Sequence, residues 1–313
     1  MRFVWAAAFL AFGLGTHAGF WAGVVSAALQ RPAGGAVVLR LDGAGAPSTP
    51  VRLASADWAA FLPTPHDTAG AQPATPAQRK GRVAIVIDDL GPAAAPTAAA
   101  LALPSTVTLA FLPDRASAAW ASRARAEGHE ILLHMPMQAA GTKGDRATLD
   151  PADPADRNVG RLVAALARVP GAIGFNNHEG SLFTADAVAL RPVLAEAQRR
   201  GLLFLDSRTT PETRAELVGR SLGLTVARRD VFLDHEPTPE AISRQIAAVE
   251  RLALSRGDVV AIGHPHPATI AALAAWMPAA ETRGISFVGI SAIAAAAPVV
   301  AARVPPAPGS DLP

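Results

Sequence analysis

The sequence predicts an α/β fold: parallel strands with helices on their outer faces, better matched by a distorted β/α barrel than by an open doubly wound sheet. Three observations predict it. Short apolar runs alternate with amphipathic segments between residues 81 and 296. The runs are continuously apolar, as strands buried on both faces must be. Their number, about seven, suits a barrel.

The predicted strands are Val83–Ile87, Val107–Phe111, Ile131–His134, Ala172–Phe175, Leu202–Leu205, Val259–Ile262 and Ser286–Val288. Between them, Ala116–Glu127, Asp156–Arg168, Ala185–Arg200, Pro239–Arg256 and Thr269–Trp276 have the polar and apolar faces of surface helices. Thr238 before Pro239 supplies an N-cap followed by a proline at the first helical position. Thr184 stands where it would cap the helix opening at Ala185.

The flanks differ in composition. Phe3–Gln30 contains no Asp, Glu, Lys or Arg. It is long enough to cross a bilayer core of about 30 Å, so residues 1–30 are expected to be a signal anchor or a cleaved signal peptide. Either exports the rest, to the periplasmic face of the inner membrane if anchored, or as a periplasmic or secreted chain if cut. Residues 31–80 are rich in Pro, Ala, Gly, Ser and Thr and read as a flexible linker, with one strand-like run at Ala36–Leu41. Residues 297–313 read as a disordered tail.

Composition removes several functions. There is no cysteine, which excludes disulfides, thiolate zinc sites and cysteine nucleophiles. Net charge is only +2 and no basic run occurs, which argues against nucleic acid as a partner. Gly219-Arg-Ser221-Leu-Gly223 matches a serine-hydrolase pattern. A nucleophile elbow needs a strand before its serine and a helix after it, and here the order is reversed.

The positive signal lies in the residues that close the strands. The runs end in Asp88-Asp89, His134, Asn176-Asn177-His178, Asp206-Ser-Arg208, Asp234-His235 and His264-Pro-His266. In parallel α/β folds the C-terminal strand ends share one rim, where ligands bind. Each residue has a plainer reading alone: an N-cap, an arginine partner, a packed histidine. Three histidines and several carboxylates on one rim favour a divalent metal site, with Zn²⁺ the expected ion. A carboxylate beside a ligating one can serve as base and a separate histidine as acid, which together suit metal-assisted hydrolysis of an amide or ester.

Ile85-Val-Ile-Asp88-Asp89-Leu-Gly91, Gly128-His-Glu-Ile-Leu-Leu-His134-Met-Pro-Met137, Asn176-Asn-His178-Glu-Gly-Ser181, Asp206-Ser-Arg-Thr209, Arg229-Asp-Val-Phe-Leu-Asp234 and Ile262-Gly-His-Pro265 resemble, in this order, the divergent polysaccharide deacetylase family. The resemblance implies an irregular (β/α)₇ barrel of the NodB type acting on an N- or O-acetylated glycan, such as a peptidoglycan-type substrate of the cell envelope. It implies Asp88 as general base, Asp89 and His134 as metal ligands, and His264 as general acid, with His266 the rival for that role. The usual second metal histidine falls on Gln138, a poor ligand, and His178 is expected to replace it. Asn176, Asn177, Asp206, Arg208, Asp234 and His266 are expected to support ligands or substrate. The substituted ligand and the low aromatic content, 5% with no tyrosine, leave two other readings open. One is a catalytically weak or inactive envelope protein that binds glycan or serves as a scaffold; the other is hydrolysis of a non-glycan substrate.

Overall fold

A computed structural model describes residues 81–295 and three short strands ahead of them. The first 25 residues of the expected membrane segment, most of the expected linker and the expected tail lie outside the described residues. Among the described residues no helix is long and apolar enough to cross a membrane.

The two compact units of the chain are residues 1–70 and 71–313. In the first, β1 (Ser26–Gln30), β2 (Val38–Asp42) and β3 (Val51–Arg52) form an antiparallel sheet in that order. Within the strand-like run, Val38 and Leu39 thus have partners on both sides, with Leu39 opposite Leu29 and Val51.

The second unit is an all-parallel barrel. Its strands are β4 (Gly81–Leu90), β5 (Thr108–Phe111), β6 (Ile131–Met137), β7 (Gly174–Glu179), β8 (Leu203–Asp206), β9 (Val226–Arg228), β10 (Val231–Phe232) and β11 (Asp258–Gly263). They run in the order β10-β11-β4-β5-β6-β7-β8-β9, and β12 (Ile285–Phe287) pairs with the start of β4. The strands at the two ends of this order are joined by only Arg229 and Asp230, so the sheet must curl shut. Arg229 N–H bonds to Asp206 O on one side of the seam and Asp230 N–H to Val260 O on the other, at 2.9 and 2.8 Å. Counting β9 and β10 as one broken stave, the barrel has seven staves, but only six are predicted strands: β9 and β10 take the place of Ser286–Val288, which pairs with the start of β4 off the barrel path.

Eight helices surround or plug the barrel among the described residues. They are α1 (Ala94–Leu101), α2 (Ser117–Ala126), α3 (Ala155–Leu166), α4 (Ala187–Arg199), α5 (Ala215–Ser221), α6 (Pro239–Arg256), α7 (Pro267–Thr282) and α8 (Ile290–Ala294). Thr238 caps α6 as expected, accepting from Ala241 N–H. The expected cap of α4 is corrected. Asp186, not Thr184, accepts from Val188 and Ala189 N–H, while Thr184 Oγ1 donates to Gly180 O. A carboxylate at the positive end of a helix outcompetes a hydroxyl two residues earlier. Ser221 closes α5 and β9 comes after it, so the Gly-x-Ser-x-Gly run is a helix end.

Strand alternation builds two cores. Val83, Ile85 and Ile87 of β4 face outward into the layer under the helices, with Leu133, Phe175 and Phe204. Ala84 and Val86 face inward with Ala110, Leu132, Leu205 and Val260, where Ile290 and Ile293 of α8 close the bottom. Small and branched residues fill the lower barrel, and the upper layer of the same inward faces is left to polar groups.

Candidate metal centre

The same alternation selects the site. Continuing the inward positions upward from Val86, Leu132, Gly174, Val260 and Ile262 leads to Asp88, His134, Asn176, His178 and His264. Asn177 and Asp206 fall on the outward parity. Asp89 would also point outward, but β4 carries a bulge there. Ile87 pairs with Leu109 and Leu90 with Phe111, so Asp88 and Asp89 together oppose one residue. Asp89 takes φ 61°, in the left-handed region, and this swings its carboxylate back over the barrel mouth beside His134. Glu179 and Arg208, on the neighbouring strand ends, also have positive φ. Non-glycine residues held there cluster at functional sites.

Asp89, His134 and His178 offer three ligand atoms that converge. Asp89 Oδ1 lies 3.2 Å from His134 Nε2 and 3.0 Å from His178 Nδ1, and the two ring nitrogens are 3.1 Å apart. Hydrogen bonding behind them settles which atoms carry protons. His134 is aligned with Asn176 across β6 and β7, and its Nδ1 lies 3.0 Å from Asn176 Oδ1. Asn176 Nδ2 donates to both oxygens of Asp88, at 2.9 and 3.0 Å, and to Ser207 Oγ at 3.2 Å. The amide oxygen is therefore the acceptor toward His134. His134 Nδ1 must carry the hydrogen, and Nε2 turns a lone pair toward Asp89.

Asp89 Oδ1 is buried and accepts no hydrogen bond. A buried carboxylate oxygen without a hydrogen bond, set between two imidazole nitrogens, suits a cation. The donor set, one carboxylate and two imidazoles with Asp89 and His178 partly exposed, fits a catalytic divalent ion of the zinc type. Burial alone would raise the Asp89 carboxyl, but the two imidazoles, when protonated, outweigh it and hold it far below the usual carboxylate range. Burial favours neutral His134, yet Asp88 and Asp89 prevail and raise it. Asp88, 2% exposed, is pushed up by burial, with His134, His264 and Asn176 opposing.

The opposite wall carries His264. Its Nδ1 donates to Asp234 Oδ1 at 2.9 Å, and its Nε2 points across the mouth to within 3.9 Å of Asp89 Oδ2. Asp234 Oδ2 accepts from His264 N–H at 2.6 Å and Thr269 Oγ1 at 2.7 Å. Asp234, His264 and His266 are also close enough to share an ion. However, both Asp234 oxygens already accept hydrogens, so this group is an oriented histidine. Burial would lower His264, and Asp234 outweighs it to raise the imidazole. Gly263 makes room for the pair, since a Cβ there would lie 3.2 Å from Asp234 Oδ2.

Three sequence expectations need correction. Asp206 does not tune the acid or the base: it accepts from Arg208 N–H and Thr213 Oγ1 on the outward side of β8, and Asp234 is the carboxylate on His264. Arg208 serves through its backbone, its carbonyl accepting from Arg229 Nη2. Asn177 turns away from the ligands, donating to Glu179 O and accepting from Ser207 N–H, and so braces the loop above the site. His266 precedes α7 as its exposed N-cap, its ring 5.9 Å from that of His264. Sequence reasoning missed Arg229, whose guanidinium bonds to Ser207 O and Arg208 O and lies over the Phe232 ring at 4.9 Å. The signal was its place at the head of the Arg229-Asp-Val-Phe-Leu-Asp234 motif.

Gln138, at the position where the related pattern places a metal histidine, faces away from the ion site. Its Nε2 donates to Ala139 O and Thr142 O and its Oε1 accepts from Gly144 N–H at 2.8 Å.

A curled parallel barrel with an Asp-His-His cluster and an opposing Asp-His pair at its mouth is the architecture of a polysaccharide-deacetylase-type protein. The divergent polysaccharide deacetylase model matches residues 85–294, and the chain belongs to that family. An uncharacterized protein of Agrobacterium tumefaciens shares 33% identity and a TM-score of 0.67, covering 75% of this chain and 94% of that one. The uncharacterized protein YibQ of Escherichia coli is 37% identical over 153 residues, 48% of either chain. An uncharacterized Haemophilus influenzae protein is 36% identical over 154 residues, 49% of this chain and 55% of its own. The matched region thus spans about half the length of these curated relatives.

Proposed function

We propose that this protein is an exported, metal-dependent deacetylase that removes an N- or O-acetyl group from a cell-envelope glycan. The observation that carries the reading is Asp89 Oδ1, buried without a hydrogen bond between His134 Nε2 and His178 Nδ1. Family membership supplies the acetylated glycan as the substrate class, and the uncharged Phe3–Gln30 supports export.

Asp89, His134 and His178 would hold the ion, with Zn²⁺ the expected metal. When bound, it supplies a Lewis acid for the acetyl carbonyl. Asp88 accepts a proton from the attacking water on a carboxylate oxygen, and burial, by raising this carboxyl, makes it a stronger base. Asn176 holds Asp88 and His134 in one frame. His264 delivers a proton from Nε2 to the departing sugar nitrogen or oxygen. Asp234 keeps the other ring hydrogen on Nδ1 and favours the protonated ring.

The test is acetate release from acetylated chitooligosaccharides and O-acetylated glycans by the zinc-loaded full chain, with and without chelator. The reading predicts release that chelator abolishes and Zn²⁺ restores. No release from any of them, by a chain that does bind zinc, would favour the glycan-binding alternative.

A further inference from the structure

Beside the ion site lies a cavity of about 310 Å³ that the proposed chemistry leaves unused. His178 forms part of its wall, so a ligand held there lies against the reacting group. The far wall is the loop 139–148, and Gln138 holds it by three side-chain hydrogen bonds. Two of these grip Thr142 O and Gly144 N–H, the residues on either side of Lys143. A side chain only 6% exposed is therefore committed to fixing the backbone that carries Lys143.

Lys143 is the only lysine among the described residues, and it forms no hydrogen bond or ion pair there. Of the carboxylates that share the cavity, Asp145 is committed to its own turn. Its Oδ1 accepts from Ala147 N–H, Thr148 N–H and Thr148 Oγ1, which hold its carboxyl below the usual range. Glu179 also faces the cavity, where a carboxylate accepts hydroxyl hydrogens from any saccharide. The ammonium is the group able to discriminate, because its preferred partner is an anion.

We infer that the Gln138-braced loop forms a specificity subsite in which Lys143 binds an anionic substituent, a carboxylate, on an acetylated saccharide. This inference rests on the deacetylase reading of the adjoining site. It also gives the departure at Gln138 a purpose: the side chain is turned away from the ion site and fixes the loop that presents a cation to the substrate.

The test compares two acetylated oligosaccharides of equal length with the zinc-loaded full chain: a neutral N-acetylglucosamine oligomer and one carrying 3-O-lactyl carboxylates. The expected result is a kcat/KM about tenfold higher for the carboxylated ligand, expressed mainly in KM. Lys143→Met should bring the ratio near one, Lys143→Arg should retain part of it, and Gln138→Ala should lower it by releasing the loop. Equal values for the wild type, or a ratio unchanged in Lys143→Met, would overturn the inference and leave the deacetylase reading intact. If neither ligand releases acetate, retention on the immobilised chain decides. Lys143-dependent retention of the carboxylated oligomer keeps the subsite and overturns the hydrolytic reading, whereas no Lys143-dependent retention overturns both.

Discussion

His134 Nδ1 and Asn176 Oδ1 share a 3.0 Å hydrogen bond whose direction is fixed from behind, because the Asn176 amide nitrogen is held by Asp88 and Ser207. One neutral amide thereby sets the tautomer of a metal-facing histidine and grips the neighbouring carboxylate. Asn176→Ala should lower zinc affinity by about 10- to 100-fold, the usual cost of losing a supporting partner of a metal ligand. Calorimetric titration of the stripped chain checks this, and unchanged affinity would show that Asn176 does not orient His134.

Gln138→His should not add a ligand, since this side chain is turned into the loop 139–148. Losing its hydrogen bonds should destabilise the fold by about 1–3 kcal/mol. Denaturant unfolding reads the loss, and metal analysis should show the same stoichiometry as wild type.

Asp234→Asn should lower the pKa of His264. The wild-type imidazole is raised above its ordinary 6.5, so its pairing with Asp234 stabilises the fold fully below the unfolded value and is lost as pH rises through the higher folded one. An acid must be protonated to act, so the alkaline fall in rate should move to lower pH in the variant. Nitrogen-detected NMR of the His264 ring and the pH profile of kcat/KM should shift together.

Asp88→Asn should keep the metal, since Asp88 is not among the converging ligand atoms, while acetate release falls by about 10²–10⁴-fold. Retained activity would remove Asp88 from the role of base.

Much of this was legible in the sequence because a strand shows one face at every second residue. Six of the seven staves and the inward set Asp88, His134, Asn176, His178 and His264 emerge from apolar runs and their polar ends, while the broken stave β9/β10 is too short to show as one run. Asp89 is expected at the site from the resemblance, but the period alone does not bring it there, and the same period removes two other candidates. Asp89 reaches the site only through a bulge and a left-handed backbone. Asp206 and Asn177 looked equivalent to their neighbours until parity placed them outside. Asp234 pairs with His264 across β10 and β11, 30 residues apart, and no local pattern distinguishes it from Asp206.

Everything proposed for the barrel mouth depends on Asp89, His134 and His178 together holding a divalent ion. Elemental analysis of the purified full chain after mild dialysis, wild type beside His178→Ala, puts that to the proof. Close to one divalent ion per wild-type chain is expected, and little in the variant. A wild-type chain that neither carries metal nor takes up added Zn²⁺, or a His178→Ala chain that binds it as tightly, would contradict the assignment.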